Sequence, residues 1–405
     1  MTSYPSNWQI ESLDSLINRG IIRLNRGDII SKLDIAAHPG EYPIYSSAKE
    51  NNGMFGRYGK FMFDEEVITW SIDGGGRLFY REKQKFSVTN VGGIMRILDR
   101  SVFDYKFLFY ALTNLHSQVI FDWSRKAHPS VIRLVYDKIP IPPLNEQLRI
   151  VEILENHLSR LDVALAEVTQ AKLKAAQFRR SLLQAGLNGF FSKGPKDEVS
   201  GLPKTWRMKT LADVADWTSG GTPSSKNSAL YGGDIPWIVI GDLTEGVVLE
   251  TEKKITQKGL DSSSAKKLPA GTVMVAMYGA SIGRTGVMGK EMTTNQAIAC
   301  GTPKSQEIMG KYLLYFLQSQ KNEFIAAGKG GAQPNISQGV VKSWQIALPP
   351  LDEQLKIIDE IDNQLERLAQ ANKVTDVLQK ESSGLRSSLL QAAFTGQLTK
   401  EVVSV

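Results

Sequence analysis

The side chains in this sequence best placed to do chemistry are basic and polar residues set beside glycine turns. The chemistry they suit is contact with a polyanion. Arg77, Arg81, Lys83 and Lys85 follow Gly74-Gly75-Gly76, with Phe79 and Tyr80 between them. Arg125 and Lys126 precede His128. In the second half, Arg284 closes the stretch that begins Tyr278-Gly279, and Lys329, Gln333 and Asn335 lie in a polar, glycine-rich segment. Lys and Arg near flexible turns reach phosphates, while Arg, Asn and Gln can read base edges. For any one of them, an ordinary solvated basic face is the competing reading. Thr89-Asn90 recurs as Thr294-Asn295, which reads as a shared turn.

The sequence does not read as that of a catalyst. No Gly-x-x-x-x-Gly-Lys-Ser/Thr phosphate loop occurs, and Tyr278 to Arg284 lacks the glycine spacing of a dinucleotide-binding turn. Gly279-Ala280-Ser281-Ile282-Gly283 has the Gly-x-Ser-x-Gly spacing of a nucleophile elbow but is not read as one. The Asp/Asn-Pro-Pro-aromatic loop of amino methyltransferases is missing. Asp64, Glu65 and Glu66 could hold a nuclease metal, but a solvated turn is the better reading. The one cysteine, Cys300, follows an apolar run and reads as a buried structural thiol.

Composition sets the frame. The chain has 405 residues, 42% hydrophobic and 22% charged, enough for two or more packed domains and too balanced for wholesale disorder. A net charge of +6 gives mild support to a polyanionic partner. A single cysteine, no signal-like N-terminus and no long apolar run point to a reducing, cytoplasmic location.

The elements that must position the basic residues are duplicated. Ile139-Pro140-Ile141-Pro142-Pro143-Leu144-Asn145-Glu146-Gln147-Leu148-Arg149-Ile150-Val151 recurs 207 residues later, with Pro349-Pro350-Leu351-Asp352-Glu353-Gln354-Leu355 at its centre, and eight of the thirteen positions are identical. Ser181-Leu182-Leu183-Gln184-Ala185 returns as Ser388-Leu389-Leu390-Gln391-Ala392 at the same offset, so nothing is inserted between the two anchors. A rigid element explains such fixed spacing. Leu148, Val151, Leu154, Leu158, Leu161 and Leu165 step by 3 and 4, as do Leu355, Ile358, Ile361, Leu365 and Leu368, which predicts long helices with apolar seams. Asn145 and Asp352 are candidate N-caps, and Gly189 and Gly396 candidate C-terminal glycines. A rod of about 40 residues is roughly 60 Å long. Chain order then predicts an antiparallel helix pair, with the end near Leu398 returning to the first unit.

The expected division is a first globular unit over 1–143, a long helix over 144–191, a linker over 192–201, a second unit over 202–350 and a C-terminal helix over 351–400. Short alternating apolar runs broken by glycine predict α+β units with mostly antiparallel sheets, clearest at Val67–Ile72, Ile235–Ile240 and Val273–Tyr278. Phe103–Leu115 and Ile308–Phe324 read as short helices. The units diverge more than the helices, as two different recognition surfaces on one scaffold would.

The repeated Pro-Pro-Leu-Asn/Asp-Glu-Gln-Leu helix start, the Ser-Leu-Leu-Gln-Ala end and the two divergent units resemble the specificity subunit of type I restriction–modification enzymes. Gly220-Gly221-Thr222-Pro223, Ile235-Pro236-Trp237 and Gly330 to Ile336 are similar to that family's target recognition domains; the first unit departs more, with Glu41-Tyr42-Pro43-Ile44-Tyr45 in place of Ile235-Pro236-Trp237. The resemblance implies two globular target-recognition domains, each reading half of a bipartite, asymmetric double-stranded DNA site. The helix pair would act as a spacer. Two modification (methyltransferase) subunits would bind the chain and methylate adenine with S-adenosylmethionine. Restriction (motor and nuclease) subunits, using ATP and Mg, would join them, and this chain would hold no cofactor, metal or catalytic residue. A structural coiled-coil adaptor, or a stand-alone DNA nuclease or methyltransferase, are the alternatives.

Overall fold

A computed structural model describes residues 4–48, 50–330 and 334–400. The chain divides into two compact units, one of residues up to Thr169 and from Asp376 on, the other Gln170–Thr375. The division cuts each of two 44-residue helices, Leu144–Leu187 and Leu351–Phe394, near its middle.

In the first unit a six-stranded sheet runs in the order 22–26, 92–97, 63–71, 78–88, 42–45 and 54–58. Its pairings are antiparallel except that Tyr42–Tyr45 lies parallel to Leu78–Val88. A separate antiparallel pair joins Gln9–Glu11 to Ile139–Ile141. The helix Tyr105–His116 buries Phe107, Leu108, Ala111 and Leu112 against this framework. The second unit has a five-stranded sheet in the order 215–219, 298–303, 273–276, 285–288 and 247–248, and a smaller one of 254–255, 231–238 and 293–294. The apolar run expected to be one helix up to Phe324 is broken at Gln320 into Gly310–Ser319 and Lys321–Ala327. Both units are therefore α+β, with mostly antiparallel sheets.

The proline pairs set the helix starts. Pro143 and Pro350 accept the first i+4 bonds, from Gln147 N at 3.0 Å and Gln354 N at 2.9 Å, so they occupy the cap position. Asn145 and Asp352 consequently lie inside the first turn rather than capping it. At the far end, Gly189 takes φ +76° while Phe190 N donates to Ala185 O at 2.9 Å and Gly189 N to Gly186 O at 3.3 Å. That is the double bond of a Schellman motif. A β-carbon on Gly189 would lie 2.5 Å from Pro203 Cδ, and one on Gly396 (φ +74°) 2.8 Å from Pro5 Cγ. The end of each long helix is thus gripped by a proline three residues before a tryptophan, Trp206 or Trp8. Gly189→Ala should cost the second unit about 2 kcal/mol, since the left-handed backbone alone costs a side chain roughly 1–2 kcal/mol. Urea unfolding of the variant checks this; a loss under about 0.5 kcal/mol would mean that the turn relaxes freely.

The expected linker is a closed turn. Asp197 accepts from Val199 N at 3.1 Å, Ser200 N at 2.8 Å and Ser200 Oγ at 2.9 Å, and these bonds hold its carboxyl below the usual range.

Within each unit the ends of the two long helices share one core. In the first, Ile150, Val151, Leu154 and Leu158 pack with Ala393 and Phe394, and Leu389, Leu390 and Leu398 lie against them. The Phe394 ring sits 5.4 Å from Phe107, so the C-terminal end does return to the first unit. Asp162 pairs with Arg386 at a point where residue numbers on the two helices run in opposite directions. In the second unit Leu182, Leu183 and Leu187 share a core with Ile357, Ile358 and Ile361, and Leu365 packs on its edge. Gly186 crosses there so closely that a β-carbon would meet Ile361 Cδ1 at 2.9 Å; Ala393, its repeat mate, is fully buried.

Two seam positions are corrected. Leu148 is 52% exposed and Leu355 47%. Gln147 and Gln354, one residue earlier, take the inward position and are fully buried. Toward mid-helix, Leu161 and Leu165 stay half-buried and line an open apolar groove of about 460 Å3 with Ala164, Val168, Leu378 and Leu385. Leu368 is also half-buried.

Candidate nucleic-acid interface

In the first unit, the strand Phe63–Ser71 turns through Gly75 (φ +81°) and Gly76 (φ +67°) into Leu78–Val88. A β-carbon on Gly76 would fall 2.1 Å from Trp123 Cζ3, so only glycine lets the 122–127 segment lie against the turn. Trp70 Nε1 donates to Ala127 O at 2.7 Å and Ala127 N to Ile72 O at 2.8 Å, closing the junction. This brings Arg77, Arg125, Lys126 and His128, all exposed, to one end of the unit. Arg77 lies 5.4 Å over the Phe79 ring, Lys126 is 3.4 Å from Asp73, and His128 Nδ1 is 3.1 Å from Ser130 Oγ. His116, 3.8 Å from the Trp123 ring, has its pKa lowered by burial and stays neutral in the wall behind them.

The expected cluster of Arg77, Arg81, Lys83 and Lys85 is divided. Eight residues of strand separate Arg77 from Lys85, a span of roughly 26 Å. Lys83 and Lys85 are exposed on the distant stretch, with Lys85 4.8 Å over the Phe61 ring. Arg81 is not at the surface: it is 2% exposed. Its guanidinium stacks 3.5 Å over the Tyr45 ring and 4.7 Å from that of Phe79, and its Nε donates to Thr69 Oγ1 at 3.0 Å. Nη1 and Nη2 have no hydrogen-bond acceptor among the described residues. Burial lowers the guanidinium pKa to about 10, so it stays charged at neutral pH. Alternation along the strand made Arg81 a neighbour of Lys83 and Lys85. The exposed stretch begins only at Glu82, just past the point where Tyr45 stacks on Arg81.

The second unit repeats the junction with different residues. Gly279 (φ +62°) and Gly283 (φ +79°) shape the turn after Val273–Ala276, and Ala276 N donates to Arg284 O at 2.8 Å. Gly279 N donates to Pro334 O at 2.8 Å and Ile336 N to Met277 O at 3.0 Å. Lys329 and Asn335 pair through their backbones at 2.9 Å in both directions. Half-buried Arg284 and exposed Lys329 and Asn335 are therefore neighbours. Gln333 lies outside the described residues.

Two of the three carboxylates considered for a metal are committed elsewhere. Glu65 is bidentate to Arg96, Oε1 accepting from Nη2 at 2.8 Å and Oε2 from Nε at 3.1 Å; Glu66 accepts from Arg100 at 2.9 Å and from Tyr80 at 2.7 Å. Among the described residues no group of three His, Cys, Asp or Glu could hold a metal. Cys300 is fully buried, 3.3 Å from Thr294 Oγ1, and burial pushes its thiol up to about 12. That is a core thiol. Thr89 and Thr294 mark a shared turn: a β-carbon on Gly27 would lie 1.9 Å from Val88 O, and one on Gly220 2.0 Å from Thr294 O.

Sequence reasoning missed what the repeated helix motif does. Gln147 Oε1 accepts from Asp104 N at 3.0 Å, and its Nε2 donates to Val102 O at 2.8 Å and Pro142 O at 2.9 Å. Gln354 repeats every bond: Met309 N at 2.8 Å, Glu307 O at 3.0 Å and Pro349 O at 3.0 Å. Trp8 Nε1 donates to Glu146 Oε1 at 3.1 Å, and Trp206 Nε1 to Glu353 Oε1 at 3.0 Å. About two turns on, Glu155 takes Lys106 at 2.9 Å and Tyr110 at 3.3 Å, while Asp362 takes Lys311 at 2.5 Å and also Tyr315. Burial and these carboxylates raise both phenols, Tyr110 to about 12, so they remain donors. Each unit is thus bolted to a long helix by the same set of contacts. The recurrence of Trp, Glu and Gln was visible in the sequence; that they touch was not.

The model of the type I restriction modification DNA specificity domain matches residues 5–174 and again 203–377. The chain belongs to this family. Among curated relatives, the MjaIX specificity subunit of Methanocaldococcus jannaschii is 28% identical over 45% of this chain and 43% of its own length. The MjaVIII specificity subunit of the same organism is 23% identical over 89% of this chain and 86% of its own. With MjaIX and several others the match spans about half the relative's length or less. A chain from a structural study of complex assembly and conformational transition of the type I R-M system shares the fold, with a TM-score of 0.74 at 18% identity over 98% of this chain and 99% of that one. The specificity-domain model covers both units, and both prolines-to-helix junctions fall inside its two matches. Among the described residues no helix is long and apolar enough to cross a membrane.

Proposed function

We propose that this chain is the non-catalytic DNA-reading subunit of a type I restriction–modification complex. Each unit reads one half of a bipartite, asymmetric site through the end that carries its turn junction: Arg77, Arg125, Lys126 and His128 in the first unit, Arg284, Lys329 and Asn335 in the second. The observation that carries the reading is a contrast within the repeat. Trp8–Glu146, Gln147 and Lys106–Glu155 recur bond for bond as Trp206–Glu353, Gln354 and Lys311–Asp362, whereas of the candidate DNA contacts the two ends share only the arginine of the Gly76-Arg77 and Gly283-Arg284 step and otherwise differ, with Arg125, Lys126 and His128 in one and Lys329 and Asn335 in the other. Fixed mounts with divergent tips suit two readers of different sequences.

The helix pair sets the gap between half-sites. Its open apolar groove, lined by Leu161, Leu165, Leu378 and Leu385, is the surface on which methyltransferase subunits dock. S-adenosylmethionine, ATP and Mg belong to the methyltransferase and motor subunits, and double-stranded DNA is the ligand of the whole.

The test is to express the chain with its methyltransferase partner in a host lacking adenine methylation and to map methylated adenines by sequencing. A gapped, asymmetric motif is expected. Exchanging residues 1–138 for those of another family member should then rewrite one half-site and leave the other intact. Rewriting both halves would refute independent readers, and a complex without DNA affinity would favour an adaptor.

A further inference from the structure

Arg81 is a buried cation whose fork of donors is prepared and empty. Its guanidinium lies 3.5 Å from the Tyr45 ring and 4.7 Å from that of Phe79, and Nε is held by Thr69, so the edge carrying Nη1 and Nη2 points in a set direction. Among the described residues neither terminal nitrogen has a hydrogen-bond acceptor and no carboxylate pairs with the group; only the Tyr45 hydroxyl acts to favour its charge. Burying an unneutralised charge is costly, and a guanidinium at a purely structural site is normally satisfied by a carboxylate or carbonyls. What lies over the fork is a turn. A β-carbon on Gly53 would stand 3.1 Å from Nη2 and 3.4 Å from the Phe79 ring. The turn is strained: Asn51, Asn52 and Gly53 hold φ of +48°, +52° and +76° in succession, a backbone that residues with side chains rarely adopt.

We propose that the Asn51–Gly53 turn is a cover that lifts on DNA binding, and that the Arg81 fork then takes a pair of acceptor atoms on the DNA. This rests on the DNA-reading function proposed above. Two acceptors at guanidinium spacing occur at the O6/N7 edge of guanine and on a phosphate. A fork held against two rings and by Thr69 favours the guanine edge, because exposed Arg77, Lys83 and Lys85 can serve phosphates without any burial.

The experiment compares wild type, Arg81→Met and Arg81→Lys in the assembled methylating complex. Methylated sites are mapped by sequencing, and binding to the mapped site is titrated against salt. For a guanine contact, both variants keep the second half-site and the gap, but one G·C position of the first half-site relaxes to any base. For a phosphate contact the motif stays whole, affinity falls at least about tenfold in Arg81→Met, and the salt slope drops by about one. An unchanged motif with affinity within about twofold of wild type overturns the proposal. So does a melting temperature for Arg81→Met lowered by more than about 5 °C, which would make the guanidinium a core brace; relief of a buried charge predicts little or no drop. Amide hydrogen exchange of wild type with and without target DNA gives a readout free of mutation. Exchange at residues 51–53 should change on binding, and no change overturns the cover. If the wild-type complex yields no gapped motif at all, it is the underlying reading that has failed, not the role of Arg81 within it.

Discussion

Gln147→Ala should destabilise the first unit by about 3 kcal/mol, and Gln354→Ala the second by a similar amount, whereas Leu148→Ala and Leu355→Ala should each cost under about 1 kcal/mol. The contrast is unusual, since leucine on an amphipathic helix is normally the costlier loss. It follows from where the side chains are. Each glutamine is fully buried and makes three bonds to backbone groups that have left water: for Gln147, one N–H of Asp104 and the carbonyls of Val102 and Pro142. Truncation orphans all three, at roughly 1–3 kcal/mol each before relaxation and water entry. Leu148 and Leu355 are about half exposed and surrender little apolar contact. Had they been seam residues, their truncation would cost about 2–5 kcal/mol. Urea unfolding of the four single variants decides the matter, and leucine variants weaker than glutamine variants would overturn the account. Because each glutamine joins the segment before a short helix to the start of a long one, Gln147→Ala should also degrade recognition of one half-site before the other.

Some of this architecture could be read from the residues and some could not, for a physical reason. The long helices were legible because helix periodicity and proline and glycine punctuation are local properties of the chain. Their return path was legible because an apolar seam must find a partner and chain order leaves one direction. The seam failed at Leu148 and Leu355 because the pattern was judged on hydrophobicity, and the inward position is held by an amide satisfied by two groups more than 40 residues away and a proline carbonyl five residues back. Nothing local distinguishes a buried glutamine from a solvated one. Arg81 failed in the opposite sense. A strand predicts which residues share a face, but whether that face is covered depends on Tyr45 and the Asn51–Gly53 turn, about 30 residues away in the chain. The basic ends were half legible. Glycines forecast the turns beside Arg77 and Arg284, while the junction that adds Lys126 and His128, or Lys329 and Asn335, is a tertiary contact through Trp123 or Pro334.

Inserting one heptad into each long helix at opposed points, after Val168 and after Val377, should widen the gap of the methylated motif by about three base pairs and leave both half-sites unchanged. Seven residues add about 10.5 Å of rise, and DNA advances 3.4 Å per pair. A heptad also returns a straight helix to within about 20° of its starting phase, so the apolar faces still meet. DNA is less accommodating. Three pairs turn the duplex by roughly 100°, given 10–10.5 pairs per turn. The two readers would therefore meet half-sites on mismatched faces, and the duplex would have to twist or bend. Affinity should fall even as the longer gap becomes the preferred one. Three heptads in each helix add about 32 Å, close to one full turn of 34–36 Å. That variant should select a gap about nine pairs longer and bind better than the single-heptad variant. A gap that ignores both insertions would mean that the helices do not set it. A gap that lengthens with no penalty at one heptad would mean that the units swivel on their mounts, against the rigidity assigned to Gln147, Gln354 and the paired Trp–Glu bonds.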